Sequence, residues 1–307
     1  MNSQIPVYLF TGFLESGKTT FIKKKISDPE FIKNKRTLLL VCEDGFEEYD
    51  KSYEYMSIEY LESEDKISKE YFAQLSEKYE IERVLIEYHG MLKLEDLYKC
   101  LPVNWLIYQQ INLINSKTFI NYNNMFRPLM VEKIKDSEMC LFNYYKNTYD
   151  KQAFHKIVRN LTKKNEIYYI YTDNTVEKDE IIDPLPFDIN KEIIDVDFKD
   201  YATWYQEIAE FPEKYNNKKV RTIFKVSKDN KYGDYLIIGR RVMICCAADI
   251  QFLGLVIKNQ NNSGLILNKW YNITGKLQFD CDKYYIDIEE YKEIEAPNIN
   301  DEVATFY

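Results

Sequence analysis

The chain has 307 residues, long enough for two domains with separate cores, and its 45% hydrophobic and 30% charged residues are those of a globular protein rather than a disordered or fibrous one. Its formal charge of −9 argues against nucleic acid as a partner, because a phosphate backbone calls for a basic face. No apolar run approaches the roughly 18 residues of a membrane span, the first residues lead into a strand without a basic-then-apolar leader, and the six cysteines lack the spacing of a small disulfide scaffold. The expected setting is therefore the reducing cytoplasm, and the chain is not expected to be a membrane protein itself.

In chain order, residues 7–11 read as a short apolar strand ending in a glycine loop, and residues 19–26 continue as a helix. Residues 37–42 (TLLLVC) are an unbroken apolar run, as expected of a strand buried on both faces of a parallel sheet. Residues 68–79 have helical spacing and 83–88 (RVLIEY) form another buried strand. Further strands are predicted at 105–114, 139–143 and 166–171, with helical stretches such as 151–161 between them. The alternation predicts a doubly wound α/β domain with a mainly parallel sheet over residues 1–185. Residues 181–198 are rich in Pro, Asp and Ile without periodicity, and a linker is placed at 186–205, with a short helix read over 201–209. The β-like segments 220–226, 235–246, 252–258, 271–277 and 284–294 follow without long helices between them. They predict a small all-β barrel of the oligonucleotide/oligosaccharide-binding kind over 206–307. Such a barrel raises a nucleic-acid-associated ATPase as an alternative, but residues 201–307 carry fourteen Lys/Arg against fifteen Asp/Glu and no basic stripe.

Gly12-Phe13-Leu14-Glu15-Ser16-Gly17-Lys18-Thr19 fits the phosphate-binding pattern G-x-x-x-x-G-K-[ST], between a predicted strand and a predicted helix. Backbone N–H groups of such a loop converge on phosphate oxygens, helped by the positive end of the helix. Lys18 is expected to neutralise β- and γ-phosphate charge and the Thr19 hydroxyl to hold Mg2+. The nucleotide contacts predicted here are Gly12, Glu15, Ser16, Gly17, Lys18, Thr19 and Thr20. With only nine glycines in the chain, the four at 12, 17, 45 and 90 fall in loops just after predicted strands, where open α/β sheets bind ligands.

Residues 11–20 (TGFLESGKTT) resemble the loop of CobW-like GTPases, relatives of the metal-insertion GTPases UreG and HypB. Glu43-Asp44-Gly45 with Asp50 is similar to that family's Asn-Glu-Phe-Gly…Asp stretch, and Ile86-Glu87-Tyr88-His89-Gly90 to its Ile-Glu-Thr-Thr-Gly segment. The resemblance implies Glu43 near the nucleotide, Glu87 in place of the usual Mg-binding Asp, and Gly90 as the amide that senses the γ-phosphate. An acidic strand end three residues before a glycine is also what Mg2+ and a phosphate sensor require. The chain departs from the family twice. The Cys-x-Cys-Cys metal motif is missing, since Ile58-Glu59-Tyr60-Leu61-Glu62-Ser63-Glu64-Asp65 holds no cysteine. The base-reading Asn-Lys-x-Asp survives only as Asn143, with Lys146 in the Asp position. The resemblance favours GTP over ATP.

In the C-terminal part, Cys245-Cys246-Ala247-Ala248-Asp249 is the most distinctive segment. Cys245, Cys246 and Asp249 could supply thiolate and carboxylate to Zn2+ with further ligands from elsewhere; the competing reading is two small buried cysteines packing a barrel. Pro212-Glu213-Lys214-Tyr215, Lys219-Val220, the Cys245–Asp249 segment and residues 270–275 (WYNITG) resemble the C-terminal module of the YcgQ family of permease components. Together the two resemblances imply a Mg-dependent GTPase of zinc homeostasis, binding GTP or GDP, acting as metallochaperone or regulator of a permease or metal-client protein, and able to form a homodimer. Its alternative is a nucleotide-binding adaptor without significant turnover. Of the other residues, His89 is expected to be a solvent-facing loop histidine, His155 to lie on the surface of a charged helix, and Cys42, Cys100 and Cys140 to pack in the core.

Overall fold

The computed structural model describes residues 4–43, 48–50, 53, 55–61, 67–228, 235–244, 249–258, 264–280, 283–298 and 301–306. The chain divides into two units, residues 1–181 and 182–307.

In the first unit an eight-stranded sheet has the order β3-β2-β4-β1-β5-β6-β7-β8. These strands are β1 (Ile5–Thr11), β2 (Thr37–Val41), β3 (Met56–Tyr60), β4 (Arg83–Glu87), β5 (Trp105–Asn115), β6 (Met139–Tyr145), β7 (Glu166–Tyr171) and β8 (Val176–Lys178). Every neighbouring pair is parallel except β7 with β8, which is antiparallel. Helices α1 (Lys18–Ile26), α2 (Pro29–Ile32), α3 (Lys69–Tyr79), α4 (Leu94–Cys100), α5 (Phe119–Met125), α6 (Arg127–Asp136) and α7 (Lys151–Arg159) complete the unit.

The apolar runs explain why the sheet is central. Strand neighbours point to opposite faces, so a strand covered on both sides must be apolar throughout. Val7, Leu9, Leu38, Leu40, Val84 and Ile86 pack with Phe72 and Leu75 of α3 and with Leu94 and Leu97 of α4. Their alternates Phe10, Leu39, Val41 and Leu85 pack with Ile22 and Ile26 of α1. Each such side chain removed from water contributes about 2 kcal/mol. Helix starts are capped in the expected way: Ser68 Oγ accepts Tyr71 N–H at 3.2 Å and an Asp150 carboxylate oxygen accepts Ala153 N–H at 3.0 Å. His155 departs from its expected surface position. On α7 it is buried beside Phe154 and Val158, and its Nδ1 pairs with the equally buried Asp179 carboxylate. A polar ring on the inward helix face is tolerated because a hydrogen-bonding partner is buried with it.

The second unit holds a mixed seven-stranded sheet of β9 (Ile193–Asp195), β10 (Lys219–Lys228), β11 (Leu236–Met243), β12 (Ile250–Ile257), β13 (Trp270–Asp280), β14 (Lys283–Ile294) and β15 (Val303–Ala304). Five of these pair in a closed circuit. β10 joins β11, β11 joins β12, β14 joins β13 and β13 joins β10, all antiparallel, while β12 joins β14 in parallel. The unit is not all-β, because helices α8 (Tyr201–Glu210) and α9 (Pro212–Tyr215) belong to it. Tyr201, Trp204, Ile208 and Tyr215 pack in one core with Val220, Phe224 and Val226 of β10. The stretch expected as a linker, 186–205, carries β9 and the start of α8, and Phe187, Ile194 and Val196 are buried in this same core. Its Pro and Asp residues punctuate short elements there. No helix among the described residues is long and apolar enough to cross a membrane.

Candidate nucleotide site

β1 lies between β4 and β5 in the sheet, and the chain leaves it toward β2 on one side before crossing later to β5 on the other. The C-terminal ends of β1 and β4 thus meet where the strand order reverses, the position at which open α/β sheets bind ligands. Residues 12–17 turn tightly there before α1. Gly17 has φ of 88°, and a Cβ on it would come within 2.2 Å of Asn143 Nδ2. Gly90 is equally constrained by contact: its Cβ would fall 2.6 Å from Phe13 Cα. Both positions need a residue without a side chain.

Two asparagines strap the loop from outside. Asn115 Nδ2 donates to Glu15 O at 2.9 Å and Asn143 Nδ2 donates to Ser16 O at 3.1 Å. Asn143 Oδ1 in turn accepts Tyr144 N–H at 3.0 Å, so both ends of the amide predicted to read the base are engaged by the chain. Carbonyls fixed in this way fix the opposite faces of their peptide units, which carry the N–H groups a polyanion uses.

Inside the loop, Lys18 is buried and its Nζ donates to Gly12 O at 2.8 Å, Phe13 O at 3.1 Å and Glu43 Oε2 at 2.5 Å. Gly90 N–H donates to Glu43 Oε1 at 3.1 Å. Thr19 Oγ1 donates to Glu87 Oε1 at 2.6 Å and the Tyr49 hydroxyl donates to Glu87 Oε2 at 2.5 Å. Burial raises the Glu87 carboxyl above its ordinary range, while its bonds from Thr19 and Tyr49 and the nearby Lys18 pull the other way. A cleft of about 320 Å³ opens here, lined by Glu15, Ser16, Gly17, Lys18, Thr19, Thr20, Glu43, Glu87, Asn115 and Tyr144 among others.

The structure therefore brings together Gly12, Glu15, Ser16, Gly17, Lys18, Thr19, Thr20, Glu43, Glu87, Gly90 and Asn143. A hard cation wants oxygen donors, and the Thr19 hydroxyl and the buried Glu87 carboxylate supply them side by side. His89 is a third exposed, its Nδ1 accepts Met91 N–H at 3.1 Å, and its Nε2 lies 3.9 Å from Glu43 Oε1. Cys42 is buried, and burial with Glu87 and Glu43 nearby pushes its thiol up. Cys140 is buried with its thiol pushed up to about 11, and Cys100 is only half-buried.

Three contributors carry no local motif. Tyr49 sits in the acid-rich sequence stretch 43–50, Asn115 ends β5, and Lys133 on α6 is fully buried, donating to Leu92 O at 2.9 Å. Tyr144 has φ of 55° and places its hydroxyl against Gly17. Its one sequence signal is adjacency to Asn143. Of the predicted zinc ligands, Cys245 and Cys246 lie outside the described residues, and an Asp249 carboxylate oxygen accepts from Gln251 Nε2 at 2.8 Å in the second unit. Among the described residues no group of three or more His, Cys, Asp or Glu is gathered to hold a metal.

Residues 170–300 match the DUF1980 C-terminal domain family. Comparison with the curated proteins finds no match. Among solved structures, the chain is similar to the hydrogenase maturation factor HypB from Archaeoglobus fulgidus at 12% identity and TM-score 0.41, covering 55% of this chain and 82% of that one. It is similar to the Zn(II)-bound YjiA GTPase from E. coli at 13% identity and TM-score 0.43, covering 98% of each chain. A Zn(II)-bound triple mutant of YjiA GTPase aligns at 12% identity and TM-score 0.44, over 94% of this chain and 90% of that one. At such identities the function is left to the geometry of the site.

Proposed function

We propose that the chain is a Mg-dependent GTP-binding protein that hydrolyses GTP slowly. The observation that carries this reading is Lys18, Thr19 and Glu87 converging in a strapped glycine loop at the reversal point of a parallel sheet. Lys18 and the loop amides stabilise charge on the β,γ-bridge, and Thr19 and Glu87 hold the cation, which supplies further neutralisation of the phosphates. The preference for GTP rests on the motif resemblance, with Lys146 in the place of the base-reading acid. In an assay of phosphate release from GTP, turnover is expected in the wild type and none in Lys18→Ala; equal turnover in both would refute the assignment.

A second reading is favoured by one observation. Of the three carboxylates lining the cleft, the two shielded ones are occupied by two donors each, Glu43 by Lys18 and Gly90 and Glu87 by Thr19 and Tyr49, so neither of these stands free as a general base. The protein then works as a nucleotide-binding adaptor, and single-turnover hydrolysis near background separates the two. The second unit, whose strand circuit we read as an oligonucleotide/oligosaccharide-binding type of barrel, is the part that meets a permease or metal client in zinc homeostasis. That extension predicts lower zinc content by mass spectrometry in a Cys245→Ser/Cys246→Ser variant than in the wild type; equal content would end it.

A further inference from the structure

An ammonium group has three protons to donate, and in Lys18 all three are taken, by Gly12 O, Phe13 O and Glu43 Oε2. Two of those acceptors are main-chain carbonyls of the loop itself. Glu43 is the third and the only anion. Its second oxygen takes the Gly90 amide at 3.1 Å, and the pair is well shielded, with side chains 3% (Lys18) and 8% (Glu43) exposed. One carboxylate thus spans Lys18, which the proposed function sets on the phosphates, and the Gly90 amide, which the sequence resemblance implies for the γ-phosphate. Its two oxygens and negative charge match the edge of a terminal phosphate in both geometry and sign. In so shielded a place two anions repel strongly and cannot share those donors.

We propose that Glu43 is a built-in stand-in for the terminal phosphate, displaced by a Mg-bound nucleoside triphosphate and left on Gly90 by a diphosphate. The inference rests on the nucleotide-binding reading and adds to it how the site tells its two nucleotide states apart. A second contact has the same character. Six residues on, the Tyr49 hydroxyl holds Glu87 Oε2 at 2.5 Å while Thr19 holds Oε1. Tyr49 therefore occupies the carboxylate expected to face the cation, as Glu43 occupies the donors expected to face the phosphate. A diphosphate competes with Glu43 for Lys18 alone, whereas a triphosphate competes for Lys18 and Gly90 both, so the cost of displacing Glu43 falls more heavily on the triphosphate. Nucleotide state is then recorded in the chain by whether Glu43 is on or off Gly90.

The test is equilibrium binding of fluorescent MgGTP and MgGDP analogues to the full chain, in the wild type, Glu43→Ala, Glu43→Gln and Lys18→Ala. Removing the stand-in is expected to tighten MgGTP binding about tenfold in Glu43→Ala, and MgGDP binding by no more than about threefold. Glu43→Gln, which keeps the shape and loses the charge, moves the same way by less and carries the test if the alanine variant does not fold. MgGTP affinity equal to or weaker than wild type in both Glu43 variants, with wild-type binding intact and lost in Lys18→Ala, overturns the stand-in: Glu43 would then help to hold the triphosphate or its cation. No binding of either nucleotide by the wild type or the Glu43 variants overturns the nucleotide reading underneath it.

Discussion

At Lys133 a positive charge is held away from water, tied to Leu92 O just beyond Gly90 and 5.9 Å from the Phe13 ring of the phosphate loop. Burial pushes its pKa from 10.5 down to about 8. Between those values the unfolded chain binds the proton that the folded chain has released, so this group makes stability rise as pH rises through that window. Buried tyrosines such as Tyr98, raised by burial, act in the opposite sense at the alkaline end. The comparison that isolates the lysine is therefore wild type against Lys133→Met. The difference in unfolding free energy between them should change in favour of the wild type by up to about 1.4 kcal/mol per pH unit between about pH 8 and 10.5, measured by denaturant titration. Parallel curves would mean that the ammonium is solvated after all. Lys133 also shows why part of the site cannot be read from sequence: it sits 43 positions beyond Gly90 on a helix without strong periodicity, and only the packing of α6 brings it to the loop.

At the scale of elements, the strands buried on every residue were legible from their apolar runs. β2 and β4 are buried throughout, so any face chosen gives the same answer, and a glycine-lysine turn marks where β1 ends. β3 offered no such signal, with every residue at least partly exposed and three acidic or hydroxyl side chains among five. Parallel pairing with β2 places it, through main-chain bonds that no side-chain pattern reports. β9 is the same case in the second unit: three residues in a Pro- and Asp-rich stretch, ordered by pairing with β10. In the site, Lys18, Thr19 and Glu87 were legible because their spacing is local to one turn or one strand end. Tyr49 and Asn115 were not, since the first reaches Glu87 across 38 positions and the second reaches Glu15 across 100. Asn143 was legible as a residue of the site, and the contact it makes is with the Ser16 carbonyl.

At the scale of the whole molecule, each unit buries a core of its own, one around the two-faced parallel sheet and one around α8 and the strand circuit. The net charge of −9 spread over such a chain gives no general attraction for a polyanion, so the proposed nucleotide binding rests on the local arrangement in the first unit. The arrangement concentrates its single buried loop cation, Lys18, against main-chain carbonyls and one carboxylate. Titration calorimetry of MgGTP into the full chain, wild type against Lys18→Ala, reads that dependence directly. Saturable one-to-one binding in the wild type that disappears in Lys18→Ala is the predicted result, and binding of equal affinity in the two proteins, or none in the wild type, would contradict it.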